Sequence, residues 1–148
     1  EERLARANRN YATEYIRNGI RELANVIGEA RTLELGKLAA RLTGLQHYPR
    51  MAEAVGGVDG GPEEAAAFLA AMLAGMGDEV EAGRDGAAVT LRHTGLRIAR
   101  GIEGEERERL LACWTEIWRG AVASHRRFID VAVAPHADGL LWTLTEAA

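Results

Sequence analysis

Residues 105–145 read EERERLLACWTEIWRGAVASHRRFIDVAVAPHADGLLWTLT, and within them the spacing of apolar side chains changes period. Leu110, Cys113, Trp114, Ile117, Trp118, Ala121, Val122, His125, Phe128 and Ile129 recur at offsets of three, four and seven, which predicts one face of a helix. Arg107, Glu108, Thr115, Arg119 and Arg126 fall off that stripe. From Ile129 to Val133 the alternation shortens to two, the period of a strand, and Pro135 to Gly139 turns the chain into a further strand over Leu140 to Thr145. The same period occurs upstream: Glu79 to Ala82 and Ala87 to His93 flank the turn-forming Gly83-Arg84-Asp85-Gly86, so a β-hairpin is expected with Val89, Leu91 and His93 on its apolar side. Leu96 and Ile98 extend that hairpin or begin a third short strand.

The N-terminal half is helical by the same criterion. Leu4, Ala7, Tyr11, Tyr15, Ile16, Ile20, Leu23 and Ile27 form the apolar face of a long helix, opposite Arg6, Arg9, Glu14, Arg17 and Arg21, and Gly28 ends it. A second helix follows, with Leu35, Leu38, Ala39 and Leu42 as its buried stripe and Thr43-Gly44 as its end. Pro49 opens a short helix through Ala54, the glycines at 56, 57, 60 and 61 make a loop, and Pro62-Glu63-Glu64 starts an alanine-rich helix that runs to Met76. The fold class is α+β, with amphipathic helices packed on a small antiparallel sheet. The 148 residues form a single domain, long enough to bury a core of their own.

Composition narrows the function. The hydrophobic fraction is 47%, the charged fraction 27% and the net charge −4, with no dense Lys/Arg stripe, so nucleic acid is not an expected partner. The longest uncharged stretch, Ala65 to Gly77, is 13 residues, too short for a membrane helix. A lone cysteine and four scattered histidines make neither a disulfide framework nor a metal pattern, so no metal or cofactor is expected and a reducing cytoplasm is the simplest setting. There is no phosphate loop, HExxH, CxxC or nucleophile elbow, and the Gly56–Gly61 stretch lacks the spacing of a dinucleotide fingerprint.

What remains is the late helix, which gathers Cys113, Trp114, Trp118 and His125 on one face. A thiolate is a nucleophile, an imidazole exchanges protons near neutral pH, and indole rings offer a stacking surface. Cys113 and His125 are twelve positions apart, about 18 Å on an ideal helix, so they form no direct pair and each needs a partner from elsewhere. His93 on the hairpin is one such partner, Tyr11 and Tyr15 reach the cavity from the first helix, and Glu116 or Asp130 can orient a histidine. The expected catalytic set is therefore His93, Cys113 and His125, with Tyr11, Tyr15, Trp114 and Trp118 binding the ligand. The alternative is structural: cysteine as a small buried hydrophobe, tryptophans filling the core, His125 hydrogen-bonded within it.

The order of elements, and within Met72 to Leu144 the segments Gly75-Met76-Gly77-Asp78-Glu79-Val80 and Cys113-Trp114-Thr115-Glu116-Ile117-Trp118, resemble the L-2-amino-thiazoline-4-carboxylic acid hydrolase-like family. The resemblance assigns no site residue. It implies a small-molecule enzyme that hydrolyses or rearranges a heterocyclic or amide-like C–N bond; the Cys/Trp/His face and the inward His93 add the expectation of a mostly apolar, aromatic-lined pocket between the late helix, the hairpin and the first helix. Two other classes stay open: a noncatalytic small-ligand-binding or sensor domain, and a subunit-interaction protein, such as a homodimer, whose apolar face is covered by another chain.

Overall fold

The computed structural model describes residues 2–55, 60–125 and 128–147. Its elements are α1 (Glu2–Ile27), α2 (Glu29–Ala54), α3 (Pro62–Gly75), β1 (Glu79–Asp85), β2 (Ala88–Thr94), a single 3-10 turn (Arg97–Ala99), α4 (Gly104–Ala123), β3 (Ile129–His136) and β4 (Gly139–Glu146). The strands form one antiparallel sheet in the order β1-β2-β4-β3, so the chain is α+β. Residues 56–59, Arg126 and the side chain of Leu4, which entered the sequence reading, lie outside the described part.

Alternation along the strands decides where the core sits. Val89, Leu91 and His93 of β2 share a face with Leu140, Trp142 and Leu144 of β4 and are buried; Thr90, Arg92, Leu141 and Thr143 point the other way. Onto the buried face pack Leu69 and Leu73 of α3, Leu110, Trp114 and Val122 of α4, and Ile98 of the 3-10 turn. Leu96 and Ile98 thus reach the core from a turn rather than from a third strand, because Gly95 at φ 70° bends the chain off the sheet first. The hairpin also turns later than the sequence suggests. β1 continues through Gly83 to Asp85, and the tight turn falls on Gly86, at φ 58°, and Ala87.

Helix α2 departs most from expectation. It is continuous from residue 29 to 54: Gly44 does not end it, and Pro49 lies inside it rather than at a new start. Gly44 is needed for packing. A Cβ there would stand 1.9 Å from the carbonyl oxygen of Ile117, and one at Gly120 would stand 2.2 Å from that of Arg41, so α2 and α4 cross at backbone distance through two reciprocal glycines. The buried face of α2 therefore runs through the small residues Thr32, Gly36, Gly44 and Ala52, with Tyr48 between the last two, at intervals of four or its multiples. The leucine stripe expected to be buried is on the opposite side, in solvent.

Helix α1 meets expectation only in part: Ile16 and Ile20 of its apolar stripe pack on the core, while Tyr11, Tyr15 and Leu23 of the same stripe are exposed. Its inward face carries Thr13, Ile16 and Ile20, and its arginines hold it down: Arg9 donates to the Gly75 carbonyl at the end of α3, Arg17 to the Arg100 carbonyl, and Arg21 pairs with Glu106 at 2.7 Å. Cations at unpaired helix-end carbonyls are favourable, so Arg9 and Arg17 turn to the body while Arg6 of the same side stays in solvent.

Candidate functional site

The structure places His93, Cys113 and His125 in three separate environments. His93 is wholly buried, and its two ring nitrogens are both engaged: Nε2 with Asp78 Oδ2 at 2.9 Å, Nδ1 with the indole nitrogen of Trp142 at 3.3 Å. An indole N–H only donates, so Nδ1 must accept and Nε2 must carry the proton, which it gives to Asp78. Asp78 Oδ1 meanwhile accepts the backbone N–H of Arg97 at 2.9 Å. The neutral tautomer of His93 is thereby fixed from both sides, and its acceptor nitrogen is not free to take a proton from a substrate. This relay ties the α3–β1 corner to β2, β4 and the 3-10 turn.

Cys113 faces α2, where a Cβ on Gly36 would stand 2.7 Å from its Sγ. Burial pushes its thiol above the ordinary range; Lys37 and Arg109 oppose that shift, and Glu116 adds to it. A thiol held protonated is a poor nucleophile and behaves as a small hydrophobe. Glu116, considered as a partner for a histidine, is instead shared between Arg41 at 3.1 Å and Arg119 at 2.8 Å.

His125 is not on α4 at all. The helix stops at Ala123, and the amides of Ser124 and His125 close tightened last turns onto Ala121 and Val122. The imidazole then bridges the Tyr48 hydroxyl, 2.8 Å from Nδ1, and the Gly60 carbonyl at Nε2. A carbonyl only accepts, so Nε2 carries a proton here too. His125 pins the chain leaving α4 to α2 and to the turn before α3, within a small second core of Tyr48, Ala52, Phe68 and Ala121. Phe128, expected on the helical stripe, follows the end of the helix and is 83% exposed, while Ile129 starts β3.

The aromatic residues divide in the same way. Trp114 is buried against His93, Trp142 and Trp118, with ring centroids 5.7, 6.5 and 5.8 Å away; Trp118 is half-buried at the edge of the cluster. Tyr11 and Tyr15 are 78% and 81% exposed, on the side of α1 away from the body, and so do not share an enclosed cavity with the tryptophans. Trp142, Asp78 and Tyr48, which complete the histidine networks, are not among the site residues expected from the sequence. Buried histidines imply such partners, but the sequence does not say which.

Among the described residues, no group of three or more His, Cys, Asp or Glu is placed to hold a metal ion, and no helix is long and apolar enough to cross a membrane. The larger surface cleft, about 630 Å³, lies between Arg100–Glu108 and the β3–β4 turn and touches none of the seven expected site residues. A smaller one, about 350 Å³, runs between α3 and the hairpin and is lined mainly by Ala66, Ala67, Ala70 and Val89. Among the described residues, most of the exposed large apolar side chains lie on the first two helices: Tyr11, Tyr15, Leu23 and Val26 on α1, with Leu35, Leu38, Leu42, Leu45 and Met51 on α2 and Val55 just beyond it.

Comparisons with family models, with curated proteins and with solved structures give no match, so the residues themselves carry the functional reading.

Proposed function

We propose that the chain is a subunit-interaction protein whose outward α1–α2 surface is covered by another polypeptide. The observation that carries this reading is the double-faced character of α2. One face is spent against α4, and the other presents Leu35, Leu38, Leu42 and Leu45 at 48%, 56%, 47% and 38% exposure. A continuous leucine row on one side of a helix is the pattern of a face that is normally covered. The four leucines leave the equivalent of about two whole side chains in water, ~4 kcal/mol of unrealised burial at ~2 kcal/mol each. Large exposed apolar patches of this kind mark association surfaces. His93, Cys113 and His125 are, by contrast, buried in three separate interior environments, the two histidines hydrogen-bonded to structural partners.

The reading is tested by the double variant Leu38→Asp/Leu42→Asp in analytical ultracentrifugation. The native chain is expected to sediment as an assembly, and the variant as a lighter species with an unchanged far-ultraviolet circular dichroism spectrum. A native chain that remains monomeric at every concentration with no partner bound, or an assembly indifferent to both aspartates, overturns it.

A second reading, small-molecule binding, is favoured by the cleft beside α4. Its volume falls in the range that holds drug-sized ligands, and Arg100 and Arg107 line it together with Glu103, Glu108 and Asp138. The substrate class implied by the hydrolase-like resemblance, an acidic amino-thiazoline, would pair there with Arg100. Calorimetric titration should show heat that Arg100→Ala abolishes; no heat with the native chain removes this reading.

A further inference from the structure

We infer that the occupant of the α2 face is a second copy of this chain, its α2 lying antiparallel to the first across a two-fold axis at the level of Ala40. This rests on the reading that the outward α1–α2 surface is an association surface.

Three observations lead to it. The spacing of Leu35, Leu38, Leu42 and Leu45 is three, four, three, the same from either end. Turning α2 end over end about residue 40 therefore sets Leu35 against Leu45 of the second copy and Leu38 against Leu42, layer upon layer, as a two-fold interface requires. A second copy thus supplies a matching leucine row with no other polypeptide needed, and the charges at its ends select the direction.

Charge complementarity agrees with the same axis. Arg31 and Glu53 lie at opposite ends of the leucine stripe, on the same side of the helix, and both are exposed. Neither is in an ion pair among the described residues. In the antiparallel arrangement Arg31 of each copy falls within about 6 Å, along the axis, of Glu53 of the other. Helical side chains lean toward their own N-terminus, so these two lean toward each other. A parallel arrangement would instead place Arg31 beside Arg31. The exposed leucines of α2 form the centre of the contact; the exposed apolar side chains of α1 and α2 together offer roughly 700 Å², under the about 800 Å² per partner of a standard interface, and polar rim side chains such as Arg31 and Glu53 supply the rest.

The test combines charge reversal with cross-linking. Arg31→Glu should weaken self-association roughly tenfold in sedimentation equilibrium, and adding Glu53→Arg in the same chain should restore it. The two positions are about 33 Å apart along one helix, so restoration can arise only between copies. An equimolar mixture of the Leu35→Cys and Leu45→Cys chains should form an intermolecular disulfide under mild oxidation at roughly ten times the yield of either alone, since only facing positions come within disulfide reach. The native chain, with its buried Cys113, is the control. Cross-linking of Leu35→Cys with itself, or no rescue by Glu53→Arg in a chain that still assembles through its leucine face, overturns the antiparallel register and leaves the interaction reading standing. A native chain that is monomeric throughout but bound to a different polypeptide through Leu38 and Leu42 overturns the second copy alone. A monomer with no partner overturns both.

Discussion

Replacing Gly44 by alanine tests the contact that turns the leucine face outward. An alanine Cβ would lie 1.9 Å from the Ile117 carbonyl oxygen and 2.6 Å from the Ala121 amide nitrogen. Ordinary carbon–oxygen contact is about 3.4 Å, so the helices would have to part by about 1.5 Å, and both clashing atoms are backbone with no rotamer to give way. Overpacking of this sort costs about 1–3 kcal/mol or more, whereas exchanging glycine for alanine inside a helix contributes about 1 kcal/mol in the other direction. The net expectation is a loss of up to about 2 kcal/mol, and more where the backbones do not part. Gly19, in the middle of α1 with nothing within 4 Å of its would-be Cβ, provides the control: Gly19→Ala has only the propensity term and should stabilise by up to about 1 kcal/mol. Urea unfolding of both variants at one protein concentration should therefore move the midpoint in opposite directions. A Gly44→Ala protein as stable as Gly19→Ala would refute the backbone-distance crossing, and with it the reason the leucines face water.

Other substitutions probe the interior. Gly36→Ala should destabilise by pushing on the Cys113 thiol, and Cys113→Ala in the same chain should recover at least about 0.5 kcal/mol of that loss; strict additivity of the two changes would show that they do not touch. Cys113 should resist thiol reagents in the native protein and react fully in denaturant. Because its thiol is raised only when folded, its contribution to stability is complete below the ordinary thiol pKa of about 8.5 and lost as pH rises beyond it, a slope that Cys113→Ala should remove. Trp142→Phe leaves the His93 acceptor unpaired and Asp78→Asn weakens its charged partner. Each should cost about 1–3 kcal/mol, and chemical denaturation of either variant at native stability would contradict the buried relay. Tyr48→Phe should cost about 1 kcal/mol by the same measurement, through the lost bond to His125.

Much of the fold is legible in the sequence because strands and helices advertise different periods. The change of period near Ile129, the hairpin around Gly86 and the breaks at Gly28 and Gly77 are local features, and all four are present in the structure. The faces of α1 and α2 are not local. In α2 a leucine stripe competes with a series of small residues for the core, and hydrophobicity favours the leucines; only the backbone-distance approach of Gly44 and Gly120 decides for the small face. In α1 the arginines were read as solvated because their acceptors, the carbonyls of Gly75 and Arg100, are 66 and 83 residues away. The candidate site divides similarly. His93 was correctly placed on the apolar side of its strand, but Asp78 and Trp142 are 15 and 49 residues from it, and it is they that turn a potential base into a fixed structural group. His125 was read as part of a helix that ends two residues earlier.

The most direct test of the central claim is hydroxyl-radical footprinting of the native chain over a dilution series. If the α2 face is an interface, oxidation of Leu35, Leu38, Leu42 and Leu45 is low when the protein is concentrated and rises together on dilution, while buried Trp114 and Trp142 remain protected throughout. Leucines oxidised at full rate and at every concentration, in step with the exposed Phe128, would contradict self-association through this face.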